Sequence, residues 1–248
     1  FKVEFSQADK LALSLGVGTE DPLRLDAGLV FELAHNNWSN GHTFLPHGKL
    51  IQATGVLLTV SGEVLEERLE ALSRRQEVLC QPVAGQEAVY LPAMCEAEAS
   101  IARRVLEMSA REPAVPDSLD ELVRYIQREH GISYAPQQRQ AVELAARRQV
   151  MLLTGGPGTG KTTCLRGVLT LFEMMGLETA LTAPTGRAAK RLGELCGTDA
   201  STIHRLLETG FDPHSGRLVF TKNAQNPLKA DAVIVDETSM VDVPLMAA

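Results

Sequence analysis

No stretch of the chain approaches the roughly 18 consecutive apolar residues of a membrane-spanning helix. A basic-then-apolar leader is missing at its start, so nothing suggests export. Cysteine is scarce: Cys80, Cys95, Cys164 and Cys196 are scattered without metal-type pairing, and the reading is reduced thiols of a cytoplasmic protein. Positive charge is short as well, 24 Lys and Arg against 31 Asp and Glu, for a net charge of −7. That balance argues against a surface that coats nucleic acid throughout, but leaves room for a local basic track. What is present is a globular composition, 44% hydrophobic and 22% charged over 248 residues, enough for one large domain or two ordinary ones. The first residue is Phe1 rather than Met, and the expectation is a chain cut at both ends.

Residues 1–110 read as mainly helical and carry no catalytic pattern. FSQADKLALSLGVG offers Ser6 as a cap, an apolar face through Leu11, Leu13 and Leu15, and a stop at Gly16. DPLRLDAGLVFELAHNNW is a second helix with Pro22 in its first turn. From Leu45 the order becomes helix, turn, helix, hairpin, which is the winged-helix order, with the hairpin turning at Ala84-Gly85. The helix over residues 61–76 holds Arg68, Arg74 and Arg75 against four glutamates, a poor face for phosphates. Packing or partner contact is the favoured reading there, ahead of DNA reading. REPAVPDS is a linker, and SLDELVRYIQREHG a short helix before the chemistry.

VMLLTGGPGTGKTT sets a β-rich apolar run directly before Gly155-x-x-x-x-Gly160-Lys161-Thr162, with a helical pattern after it. This is the phosphate-binding loop in its strand–loop–helix context. The backbone of Gly156, Pro157, Gly158, Thr159 and Gly160 cradles phosphate, with Thr163 opening the helix whose N-terminus faces the anion. Lys161 reaches the β- and γ-phosphates, and the Thr162 hydroxyl ligates Mg²⁺. The expected ligand is therefore ATP with Mg²⁺. A second apolar run, Ala232–Val235, ends in Asp236 and Glu237, 75 residues after Lys161. In a parallel sheet this places Asp236 to hold Mg²⁺ and Glu237 to polarise the attacking water.

Between these motifs, residues 183–205 carry Arg187, Lys190, Arg191 and Arg205 against only Glu194 and Asp199. Two readings stand: a ridge for the phosphates of a strand, or a solvated basic helix face. GFDPHSGRLVF reads as a small hairpin, with an insertion bounded at 209–228.

GGPGTGKTT, APTGRAAKRL, STIHRLL and VIVDETSM, in this order and spacing, resemble the first motifs of superfamily-one helicases, and most nearly the RecD-like ATP-dependent DNA helicases of the short type. YAPQQRQAVELA is similar to the glutamine motif that precedes the phosphate loop, where Gln138 would pair with the adenine edge. The resemblance implies a fold: a P-loop RecA-like α/β parallel sheet in the C-terminal half, after a mainly helical region with a winged-helix-like hairpin. The divisions implied are 1–44, helix-hairpin-helix-like; 45–110, winged-helix-like; 111–134, linker and helix; and 135–248, the first motor domain. It further implies that Thr185, Gly186, Arg187 and Lys190, with Thr202 and His204, contact single-stranded DNA, that movement is 5′ to 3′, and that ss/ds junctions are opened, with no membrane partner. For His204 the alternative is a structural histidine capping its helix. In this family the hairpin acts as a strand-separating pin; a plain connecting loop is the other reading. Family members continue into a second domain with arginine fingers, so the expectation is a front portion, inactive as a motor by itself. A nucleotide-dependent switch or loader without unwinding is the alternative function. A small-molecule kinase fits APTGRAAKRL poorly.

Overall fold

The structure, a computed structural model, describes residues 4–156, 158–211 and 218–248. Its residues divide into two units, Phe1–Ile101 with Asp242–Ala247, and Ala102–Val241 with Ala248. Among the described residues no helix is long and apolar enough to cross a membrane.

The first unit runs α1 (Phe5–Ser14), α2 (Pro22–Asn40), β1 (Phe44–Pro46), α3 (His47–Leu58), α4 (Gly62–Arg74), β2 (Leu79–Val83), β3 (Gln86–Tyr90) and the start of α5 (Pro92–Ser109). Local chemistry sets several boundaries. Asp21 accepts the Leu23 N–H to cap α2, Pro22 occupies its first turn, and Gly41 ends it at φ 70°. Ala84 and Gly85, at φ 48° and 81°, turn β2 into β3 in register Leu79↔Tyr90 to Val83↔Gln86. β1 pairs with the other edge of β3. Leu25, Leu29, Leu50, Leu65, Leu72, Val78 and Val89 close the core and are fully buried.

α1 departs from expectation. Glu4 takes the cap position without a side-chain cap, Ser6 lies inside the helix, and Leu11 and Leu15 are 60% and 76% exposed. The rotation of α1 is set by charge instead. The buried Arg24 guanidinium donates to both oxygens of Asp9, at 2.6 and 2.9 Å, and to the Leu58 carbonyl. A buried cation needs its carboxylate, so the Asp9 face turns inward and the leucines turn out. Phe5 anchors the helix by stacking on Phe31, with ring centroids 4.4 Å apart. The arginines of α4 are similarly engaged: Arg68 forks onto the Asp26 carboxylate at 2.8 and 2.7 Å, and Arg75, just past the helix end, adds a bond at 2.6 Å. Two of the three arginines of residues 61–76 thus serve packing.

The second unit continues with α6 (Leu119–Glu129), α7 (Pro136–Arg147), α8 (Lys161–Met174), β4 (Thr179–Ala183), α9 (Gly186–Cys196), β5 (Ala200–Thr202), α10 (Ile203–Leu206), β6 (Thr209–Phe211), β7 (Leu218–Phe220), β8 (Ala232–Val235) and a 3₁₀ turn at Thr238–Met240; α11 (Val243–Ala247) belongs to the first unit. β5, β4 and β8 form a parallel sheet in that order, with Ala183↔Thr202 on one side and Thr182↔Val235 on the other. β6 and β7 form a separate antiparallel ribbon. This is the mixed helix–sheet arrangement expected of a P-loop fold. Val123 and Ile126 of α6, Val142 of α7 and Leu171 of α8 are fully buried in one core. That core reaches back to Leu119, ahead of residue 135.

The apolar run before the phosphate loop makes no ladder among the described residues. Met151 packs on the core, but Leu152 is 83% and Leu153 37% exposed, and Val233 of β8 is 47% exposed. A parallel strand is stable where both faces are covered, and Leu152 and Leu153 lack that cover.

Candidate functional site

Gly158 and Gly160 hold φ of 74° and 83°, a conformation that only glycine adopts at little cost, and turn the chain into α8. Inside this turn the Thr159 hydroxyl donates to the Gly156 carbonyl at 2.9 Å. Lys161 is the first residue of α8, and its ammonium donates to the carbonyls of Gly155 and Gly156. Gly156, Gly158, Thr159, Lys161 and Thr162 are exposed, Gly160 and Thr163 half-buried, and Pro157 lies outside the described residues. The first-turn N–H groups of α8 have no partner within the helix and carry the positive end of its dipole. Together with the Lys161 ammonium they form an anion cradle.

Gln138 reaches this cradle from α7. Its Oε1 accepts the Ala135 N–H at 3.0 Å, the reciprocal half of a capping box. Its Nε2 donates to the Thr159 carbonyl at 3.1 Å. A Cβ at position 160 would meet that nitrogen and push the Gln138 amide aside, while the left-handed φ is what favours glycine there.

Asp236 follows β8, and its N–H extends the ladder to the Thr182 carbonyl at 2.9 Å. Glu237 is exposed and left-handed at φ 52°, an unfavourable state for a residue with a Cβ. It starts the 3₁₀ turn, closed by Met240 N–H donating to its carbonyl at 3.0 Å. The sheet register brings Asp236, Thr185 and Thr202 to one edge, the carboxyl end of the strands. Cys196, at the end of α9, reports on the same neighbourhood: burial raises its thiol pKa, Arg166 of α8 opposes that, and Asp236 adds to it. Thr162 and Asp236 offer a hydroxyl and a carboxylate, the hard oxygen donors that suit Mg²⁺.

Along the same edge, Thr185 caps α9 by accepting the Ala188 N–H at 3.2 Å, and Thr202 caps α10 by accepting the Arg205 N–H at 3.2 Å. Each hydroxyl keeps its proton to donate. α9 buries Ala189 and Leu192 and exposes Gly186, Arg187, Lys190 and Arg191. Lys190 stands 3.9 Å from Glu194, a largely exposed pair that holds it weakly. The His204 ring is exposed, and because Thr202 is the cap, the reading of His204 as a capping histidine does not hold. The middle of the expected hairpin, residues 212–217, lies outside the described residues.

Residues 138–248 match the family described as an AAA domain, and residues 1–44 the ATP-dependent RecD2 DNA helicase HHH domain. Over 98% of its length the chain is 36% identical to the ATP-dependent RecD2 DNA helicase of Deinococcus radiodurans. The chain is thus similar to RecD-like helicases along nearly its whole length. Over 45% of its length it is 42% identical to RecBCD enzyme subunit RecD of Mycobacterium tuberculosis, and over 44% it is 38% identical to that subunit of Haemophilus influenzae. It spans 34% of the Deinococcus protein and 22% and 20% of the two RecD subunits.

Two parts of this RecD-like chain bear on the site without any motif to announce them. Thr182, 1% exposed, takes the Asp236 N–H on its carbonyl and donates its hydroxyl to the Ser201 carbonyl at 2.8 Å, joining all three strands. Gly167 lies in mid-helix, where a Cβ would overlap the Tyr134 hydroxyl. A threonine in a strand and a glycine in a helix have no spacing that marks them out.

Proposed function

We propose that this RecD-like chain is the ATP-binding front portion of a motor that, with Mg²⁺, drives DNA unwinding, moving 5′ to 3′ on single-stranded DNA and opening ss/ds junctions, and that the portion by itself does not turn over as a motor. The observation that carries the reading is the Gln138 amide bonded to the Thr159 carbonyl, which couples a base-recognising side chain to the phosphate cradle. In this reading Lys161, with the backbone of Gly156, Pro157, Gly158, Thr159 and Gly160 and the start of α8 at Thr162 and Thr163, binds the phosphates. Mg²⁺, held by the Thr162 hydroxyl and the Asp236 carboxylate, supplies neutralising charge to the phosphate oxygens. Glu237 orients and polarises the attacking water. Thr185, Gly186, Arg187, Lys190, Thr202 and His204 line the track of the single strand at the sheet's carboxyl edge. Residues 1–44 and 45–110 serve as helix-hairpin-helix-like and winged-helix-like segments, and residues 111–134 as linker and helix, ahead of the first motor domain, which the chain carries in part from residue 135 onward.

The test is ATPase with and without single-stranded DNA, and unwinding of duplexes with 5′ or 3′ tails, on the full-length protein. Lys161→Ala removes a charge-assisted contact to phosphate and should weaken ATP roughly ten- to hundredfold. Glu237→Gln should abolish turnover and leave binding largely intact. Unwinding only from a 3′ tail would overturn the direction. ATP binding without DNA stimulation would favour the switch or loader.

A further inference from the structure

Tyr134 sits between α6 and α7, only 7% exposed. Its hydroxyl is buried and has no hydrogen-bond partner among the described residues, a cost that phenylalanine would avoid. Its backbone N–H donates to Gln127 Oε1 of α6 at 2.9 Å. The ring seats against Gly167 of α8: a Cβ there would overlap the Tyr134 oxygen and stand 3.0 Å from Cζ and 3.3 Å from Val142 Cγ2. The φ of Gly167 is not positive, and glycine is a poor residue for a helix interior, so space is what position 167 requires.

Seven residues earlier, at the cap position just before α8, stands Gly160, where a Cβ would meet Gln138 Nε2. Positions seven apart lie on one helix face. α7 and the segment leading into it therefore approach α8 and its cap at two glycines, by Tyr134 at Gly167 and by Gln138 at Gly160. The two side chains are also linked along their own segment, because Gln138 Oε1 accepts the N–H of Ala135, the residue after Tyr134.

We infer that the Tyr134–Gly167 contact is a positioning lock, setting the height of α7 on α8 and through it the reach of Gln138 to Thr159 and to bound nucleotide. This rests on the nucleotide reading above. Neither residue touches the nucleotide; both act through Gln138. Adding a methyl at 167 lifts Tyr134 and stretches the Gln138–Thr159 bond. Removing the hydroxyl restores most of the space, leaving Cζ to shift by a few tenths of an ångström.

The experiment measures KM and kcat for DNA-stimulated ATP hydrolysis, together with ADP affinity and melting temperature, on the full-length protein. Gly167→Ala should raise the ATP KM and weaken ADP by roughly three- to tenfold, the worth of one hydrogen bond, with kcat changed less than KM. Tyr134→Phe in the Gly167→Ala background should recover most of that loss. In a Gln138→Ala background, Gly167→Ala should add nothing further to the loss of affinity, whereas a merely structural role would add its full effect. An unchanged KM, an additive loss, or no rescue by Tyr134→Phe overturns the lock. If Gly167→Ala does not fold, failure of Tyr134→Phe to restore both fold and ADP binding overturns it equally. A parent protein that binds neither ATP nor ADP would overturn the nucleotide reading itself, and the lock with it.

Discussion

Asp26 is a carboxylate 8% exposed on α2. Burial pushes its pKa up, but the hydrogen bonds and charges of Arg68 and Arg75 outweigh that and hold it below the usual carboxylate range. In the unfolded chain an aspartate titrates near about 3.9. Between the two values the unfolded state binds more protons than the folded one, so stability rises with pH there. The contribution is complete above the unfolded pKa and is lost as pH falls through the folded one. Asp26→Asn leaves two guanidiniums facing a neutral amide and should cost about 2–3 kcal/mol. The gap between parent and variant urea midpoints should be flat from about pH 5 to 8 and narrow below about pH 4. A gap that persists undiminished to about pH 2 would show that Asp26 is not its source. The Arg68 side chain is 20% exposed and that of Arg75 46%, so Arg68→Ala should destabilise more than Arg75→Ala, whose bond is screened by water.

At the level of elements, β6 and β7 form a ribbon in register Thr209↔Phe220 to Phe211↔Leu218, rooted on α10. Glu208, left-handed at φ 51°, accepts the Thr221 hydroxyl at 3.0 Å, and the Leu207 carbonyl accepts the Lys222 N–H at 3.1 Å. Thr209 donates its hydroxyl to the His204 carbonyl at 2.7 Å. Phe211, Leu218 and Val219 of the ribbon's strands are exposed, Phe211 at 73%. If the ribbon separates strands, Phe211→Ser should slow unwinding by the full-length protein. Melting should change by less than about 0.5 kcal/mol, and DNA-stimulated ATPase should be retained. Equal unwinding by parent and variant would leave the ribbon a connection. What could be read from sequence divides along the same line, between local and distant chemistry. Pro22 in the first turn of α2 and the Ala84-Gly85 turn depend on neighbours in the chain and were legible. The partners of Arg68 and Arg75 lie 42 and 49 positions away on α2, so the sequence could show a mixed-charge helix but not where its arginines turn. The leucine face of α1 failed for the same reason, because Arg24, 15 positions beyond Asp9, sets the rotation of the helix. In the candidate site the motifs located the loop and the sheet edge. The Val150–Leu153 run had strand composition but lacks the cover that a parallel strand needs, and tertiary surroundings alone decide that.

On the scale of the whole molecule the charge is −7, so the chain as a body repels phosphate. Any attraction to DNA must come from where the cations concentrate. Arg187, Lys190 and Arg191 are exposed together on α9, beside the two threonine-capped turns at the sheet's carboxyl edge. Among the described residues only Glu194 pairs with the ridge, at 3.9 Å from Lys190, and an exposed pair of that kind releases its cation readily. Each cation that neutralises a phosphate of a single strand contributes about −0.7 to the slope of log K against log salt. Arg187→Ala and Lys190→Ala should therefore each make the slope shallower by about 0.7, and together by about 1.4, whatever other contacts the full-length protein makes. Arg74 is a matched control: its side chain is 70% exposed on a glutamate-rich helix and pairs with Glu70 at 3.6 Å, so Arg74→Ala should leave the slope unchanged. The measurement is anisotropy of a labelled oligothymidine titrated with full-length protein at salt from about 50 to 300 mM. If the α9 variants keep the parent slope, the basic ridge is a solvated helix face, and the strand runs elsewhere.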